Sequence, residues 1–162
     1  MNAQQYRKKH HREKGQCTWC GGPVAAPRRS WCSDACVEAF REAFDLSFFR
    51  HRVHLRDRGV CSLCGCDTER LRRLVRRVRG REGWDVYGHL AAHYRGLGFH
   101  DLLSRSQWEA DHIIERVRGG ANTPENGQTL CLPCHKAKTA RLARERAGER
   151  KAIRRNGAEA PA

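Results

Sequence analysis

The sequence contains no apolar run long enough to span a bilayer, and its opening stretch, MNAQQYRKKHHREKG, holds no segment that could act as a secretion signal. A membrane anchor and an oxidising extracellular compartment are disfavoured on that ground, and a cytoplasmic (bacterial or phage-like) or nuclear location is expected. Acidic charge is scarce: 18 Asp plus Glu stand against 32 Lys plus Arg, for a formal charge of +14. That imbalance points to a polyanionic partner. Nucleic acid is the first candidate, because no amphipathic anchor supports an acidic membrane. Apolar residues are also thin, 39% of the chain beside 31% charged. A hydrophobic core alone would be small for 162 residues, so a second staple is needed.

Cysteine supplies it. Eight of the nine cysteines fall in four close pairs, Cys17/Cys20, Cys32/Cys36, Cys61/Cys64 and Cys131/Cys134, with Cys66 left over as a bystander. In a reducing compartment such pairs are metal ligands more often than disulfides, so two structural zinc ions are expected. In CTWCGGPVAAPRRSWCSDAC the first pair lies on a Gly-Gly-Pro turn. The second lies at a helix start capped by Ser33 or Asp34, which makes a closed four-sulfur finger over residues 17–45. VCSLCG carries another turn-borne pair, Cys61/Cys64, and Cys131/Cys134 remains as its partner some seventy residues downstream.

Around these pairs the chain divides into a basic flexible arm (1–16), the finger (17–45), a unit over 46–145 with an insertion at 67–107, and a basic, partly disordered tail (146–162). LSFFRHRVHLRDRG has the period of a helix with one buried face, ended by Gly59. The insertion is expected to be mostly helical. Its segment ERLRRLVRRVRGR holds seven arginines between 70 and 81, with Leu71, Leu74, Val75 and Val78 at helical spacing. The polar face, with Arg72, Arg73, Arg76 and Arg77, is either a solvated charged surface or a phosphate-contacting one. Lys136, Lys138 and Arg141 join it as candidates, on a helix expected from about Pro133 and running past Arg141. GWDVYGHLAAHYRGLGFHDLL predicts a further short helix. Its His89 and His93 have a metal-binding spacing but no third ligand, so they read as surface or packing residues, as do His51, His54 and His100.

The stretch with chemistry is 109–140. WEADHIIERV alternates as a strand, RGGANTPENG is turn-rich, QTLC returns, and a helix follows. Asp111 and His112 point to opposite sides of the first strand. Asp111 and His135 are placed to offer an oxygen and a nitrogen to one divalent cation, Mg2+ or Mn2+, with His112 beside it. Such a cation can neutralise charge on a phosphodiester, and a neutral imidazole can take a proton from water near cellular pH.

ADHIIERVRGG…ENGQTLCLPCHKAKT resembles the HNH (ββα-metal) endonucleases, with Asp111-His112, Asn126 and His135 on the three named positions. Cys61, Cys64, Cys131 and Cys134 resemble the zinc-stabilised branch. DRGVCSLCG and WEADHI are similar to the HNH domain of a vertebrate annealing helicase and to standalone bacterial relatives. The resemblance covers roughly 17–140. It implies a small zinc-stabilised α+β fold: a ββα-metal core, an N-terminal four-cysteine zinc finger and a mostly helical insertion. It further implies DNA as partner, His112 as general base, Asp111 and His135 as ligands of the catalytic ion, and Asn126 as the tether of the loop. The products would be 5′-phosphate and 3′-hydroxyl ends. Two departures touch the hairpin loop: Glu115 replaces a common Pro, and Gly127 a common aliphatic residue, which predicts a less rigid loop. The alternative function is a non-catalytic, zinc-containing nucleic-acid-binding protein. The sequence specifies no oligomeric state.

Overall fold

The computed structural model describes residues 2–158. In chain order the elements are α1 (Ala3–Lys9), α2 (Asp34–Phe44), α3 (Leu46–Asp57), α4 (Thr68–Arg81), α5 (Gly83–Gly96), β1 (Trp108–His112), β2 (Gly127–Cys131) and α6 (Leu132–Ala158). β1 and β2 pair as a two-stranded sheet, so the fold is small α+β. Among the described residues no helix is long and apolar enough to cross a membrane. The chain forms two compact units that alternate in sequence. One holds the residues up to Arg58 together with Ala110–Gln128; the other holds Gly59–Glu109 and the chain from Thr129 onward.

In the first unit part of the expected arm is helical. Residues Ala3–Lys9 form a helix closed by a capping box, in which Asn2 and Gln5 exchange side-chain and backbone hydrogen bonds. Tyr6 docks this helix. Its ring lies 5.4 Å from Trp19 and 5.1 Å from Phe44, and its hydroxyl donates to the Trp19 carbonyl at 3.0 Å. One aromatic residue gives a polar helix a place to dock, which a reading based on charge overlooks. As expected, Ser33 caps α2, accepting from the Cys36 amide at 3.3 Å. Asp45 ends α2 and caps α3 through the amides of Ser47 and Phe48. α3 buries Phe48, Phe49 and Val53 and ends on Arg58 in the left-handed region, one residue before the expected Gly59.

The second unit has its core in Leu71, Val75, Phe99, Leu102 and Leu130, with Cys61 and Cys131 among them. α4 turns Leu71 and Val75 inward, while Leu74 remains 37% exposed, so its apolar stripe is narrower than the spacing predicts. Asp67 caps α4 at the Arg70 amide, 2.8 Å. The buried Gln107 donates to the Asp101 carbonyl at 2.7 Å and accepts at its own main-chain carbonyl from the Leu132 amide at 3.1 Å. That pair fixes where β1 enters relative to the start of α6. α6 continues to Ala158, through much of the segment expected to fray; residues 159–162 of the tail lie outside the described residues.

Candidate functional site

The cysteine pairs come together as the spacing implies. Sγ atoms of Cys17, Cys20, Cys32 and Cys36 lie within 4.8 Å of one another, and so do those of Cys61, Cys64, Cys131 and Cys134. Individual separations are 3.5 Å (Cys20–Cys32), 3.4 Å (Cys32–Cys36) and 3.6 Å (Cys64–Cys131). A disulfide would need about 2.05 Å. Tetrahedral zinc, with Zn–S bonds of about 2.3 Å, spaces its sulfurs by about 3.8 Å, so both sets fit zinc.

The two turn-borne pairs share one local construction. The Gly21 amide donates to the Cys17 carbonyl and the Gly65 amide to the Cys61 carbonyl, both at 2.9 Å. Gly21 and Gly65 have φ of 77° and 71°, a region that suits glycine. Amides exposed by these turns donate to sulfur. Burial opposes ionisation of Cys17, but the backbone N–H groups of Cys32, Cys20 and Trp19 outweigh it and bring the thiol to about 6. Cys61 falls to about 7 against the same opposition, through the N–H groups of Cys131, Cys64 and Leu63. Cys32 and Cys134 move the opposite way. Contact with Cys36, then Cys20 and Cys17, raises Cys32 to about 12, and burial foremost raises Cys134 to about 11. Four thiolates without a cation repel; a divalent ion removes that conflict.

The loop between β1 and β2 is built around Asn126. Its Oδ1 accepts from the Ile114 amide at 2.9 Å, and its Nδ2 donates to the carbonyls of Ile114 (3.0 Å) and Ala121 (2.8 Å). The Ile113 amide donates to the Asn126 carbonyl at 2.7 Å. Gly120 permits this closure: a Cβ there would sit 1.8 Å from the Ile114 carbonyl oxygen. Arg56 of α3 binds the far side of the loop, donating to the carbonyls of Pro124 and Gly127, each at 2.7 Å. At Gly127, one of the two departures, the backbone is closely packed. A Cβ there would meet Val53 Cγ2 at 2.4 Å and Phe49 Cε2 at 2.9 Å, so the bare backbone is what lets α3 pack against it.

His112 ends β1. Its ring stacks on Phe49, with centroids 4.6 Å apart and planes 7° from parallel, and its Nε2 lies 3.0 Å from Asn122 Oδ1. The buried Asn122 in turn donates through Nδ2 to the Glu42 carbonyl of α2. Asp111 is half-buried, and its Oδ2 accepts from Gln128 Nε2 at 3.0 Å. His135 belongs to the other unit, directly after Cys134 in the first turn of α6. Among the described residues, the groups of three or more potential ligands are the two cysteine sets. Asp111 offers a carboxylate oxygen in the one unit and His135 an imidazole nitrogen in the other.

The arginines of α4 divide between two hollows. Arg73 and Arg77, with Arg70, Asp67 and Tyr94, line one of about 600 Å³. Arg72 and Arg76, with Arg79 and Arg105, line another of about 210 Å³. Arg72 also pairs with Glu69 at 2.9 Å. Lys136 and Arg141 are exposed, Arg141 beside Glu145 at 3.6 Å. Lys138, expected among the phosphate contacts, is instead buried at 9% exposure. It stands four residues after Cys134 and shares that inward face of α6. Asn122, Phe49, Gln128 and Arg56 were missed as site residues. Periodicity marks Phe49 as buried, but nothing in the spacing distinguishes Asn122 from the other turn residues around it.

Residues 98–141 match the HNH endonuclease family, which bears out the resemblance to it. The DNA annealing helicase and endonuclease ZRANB3 of Mus musculus is 29% identical over 152 residues, covering 83% of this chain and 14% of that protein. Its Homo sapiens counterpart is 30% identical over 142 residues, covering 82% and 13%. The chain thus spans about an eighth to a seventh of the length of these curated relatives. No solved structure matches it.

Proposed function

We propose that this chain is a metal-dependent HNH endonuclease with a ββα-metal core that hydrolyses DNA phosphodiester bonds. The observation that carries the reading is the family match over 98–141, which encloses Asp111, His112, Asn126 and His135 in one segment. DNA as substrate draws on the annealing helicase and endonuclease relatives and on the formal charge of +14.

In this reading Asp111 and His135 would hold one Mg2+ or Mn2+, which would supply charge neutralisation at the phosphate and at the departing oxygen. His112 accepts a proton from water as the water oxygen attacks phosphorus. The bond from phosphorus to the 3′ oxygen breaks, leaving a 5′-phosphate and, after protonation, a 3′-hydroxyl. Gln128 orients the Asp111 carboxylate, and the Asn126 hydrogen bonds hold the loop that follows His112. The two zinc ions are structural, because four sulfurs each leave no position open. Arg73, Arg76, Arg77, Lys136 and Arg141 present positive charge to the DNA backbone, with Arg72 partly satisfied by Glu69.

The test is nicking of supercoiled plasmid with Mg2+ or Mn2+. The parent chain is expected to cut, and His112→Ala to lose on the order of 100-fold or more, the usual contribution of a positioned base. Equal cutting by parent and variant removes His112 from that role. Binding without any cutting would identify the chain as a non-catalytic zinc-containing nucleic-acid-binding protein.

A further inference from the structure

We propose that Asn122, anchored on the main chain of α2, is a positioning residue that sets the tautomer and orientation of His112. The N-terminal cysteine module is thereby a working part of the nuclease site. The proposal rests on the reading of His112 as the base. It is argued from the direction of two hydrogen bonds.

A backbone carbonyl can only accept, so the Asn122 atom facing the Glu42 carbonyl must be the amide nitrogen. The Asn122 oxygen is therefore the atom 3.0 Å from His112 Nε2. That oxygen can also only accept, so Nε2 carries the ring proton and Nδ1 carries the lone pair. Stacking on Phe49, 7° from parallel, holds the plane of the ring. Both supports come from the same compact unit as the first cysteine set: Glu42 lies on α2, which begins between Cys32 and Cys36, and Phe49 lies on α3. Burial of Asn122 at 9% exposure excludes most of the water that would otherwise compete for Nε2. An asparagine eighty residues from its partner carbonyl thus transmits the placement of the finger helix to the imidazole.

The experiment is NMR of isotope-labelled histidine in the zinc-loaded full chain, at a pH well above the ordinary imidazole range, combined with single-turnover plasmid nicking. The parent is expected to show His112 protonated on Nε2. A parent protonated on Nδ1 overturns the proposal without any variant. Asn122→Ala is expected to give a mixed tautomer and a cleavage rate lower by about 10- to 100-fold, within what a positioned base supplies, with plasmid affinity unchanged. Asn122→Asp keeps an acceptor for Nε2–H, so it is expected to retain the tautomer and recover part of the rate. Asn122→Ala with both tautomer and rate unchanged overturns the proposal while leaving His112 as the base. A tautomer that responds to Asn122, in a chain whose nicking ignores His112→Ala, overturns the catalytic reading and leaves the ring placement standing.

Discussion

Asn126→Ala tests how the hairpin loop is held. The substitution removes three side-chain hydrogen bonds, at 2.9 Å to the Ile114 amide and at 3.0 and 2.8 Å to the carbonyls of Ile114 and Ala121. Neutral hydrogen bonds contribute about 0.5–1.5 kcal/mol each, and three would sum to about 1.5–4.5 kcal/mol. Ile114 and Ala121 lie at the surface, where water can replace part of what is lost, so the lower half of that range is appropriate, about 2 kcal/mol. At about 1.4 kcal/mol per factor of ten, local opening becomes roughly 30-fold more frequent. Hydrogen exchange at the Ile114 amide reads this directly, since its acceptor is the deleted oxygen. Asn126→Asp keeps that acceptor but loses both donations, so it should fall between parent and alanine. Exchange at Ile114 within about threefold of the parent would refute the reasoning, because a change that small is below 1 kcal/mol.

Further outcomes follow from the packing and the charge. Gly127→Ala places a methyl 2.4 Å from Val53 Cγ2 and should cost about 1–3 kcal/mol, seen as a lower urea midpoint at unchanged slope; an unchanged midpoint means α3 yields. Elemental analysis should find two zinc ions per chain, and chelation should abolish the cooperative melt, because each structural zinc contributes on the order of 10 kcal/mol, comparable with the total stability of a small domain. Replacing Arg72, Arg73, Arg76 and Arg77 together by Gln should lower the salt slope of DNA binding by up to roughly 3–4; an unchanged slope would exclude α4 from the DNA-facing surface. Cys66 is raised above its ordinary value, by burial first and then by the neighbouring thiols and Asp67. Its thiol form therefore persists beyond the usual thiol range, and alkylation should accelerate only as pH climbs past it; fast labelling at neutral pH would contradict that ordering.

The cysteine sets were legible because their chemistry is local and repetitive: a short pair on a glycine turn needs another pair, and few partners exist. The helices were legible where one face was apolar, as in α3 and α4. Other features depend on distant parts of the chain. α1 reads as a polar arm until Tyr6 meets Trp19 and Phe44, which come from two later segments. Gly127 shows no packing role in the sequence, because Phe49 and Val53, which lie against it, come more than seventy residues earlier. Lys138 reads as surface because lysine favours water, yet the register set by Cys134 turns it inward. Asn122 carries no signal of its own, since its role lies in which atoms it faces.

The alternation of the two units along the chain bears on synthesis. The earlier unit draws on Ala110–Gln128, so it cannot close when Arg58 leaves the ribosome. At roughly 5–20 residues per second, the seventy residues up to Gln128 take about 4–14 seconds to arrive. During that interval the nascent α3 lacks the segment that covers Phe49, so the ring waits for Gly127 and His112 to arrive before it is enclosed.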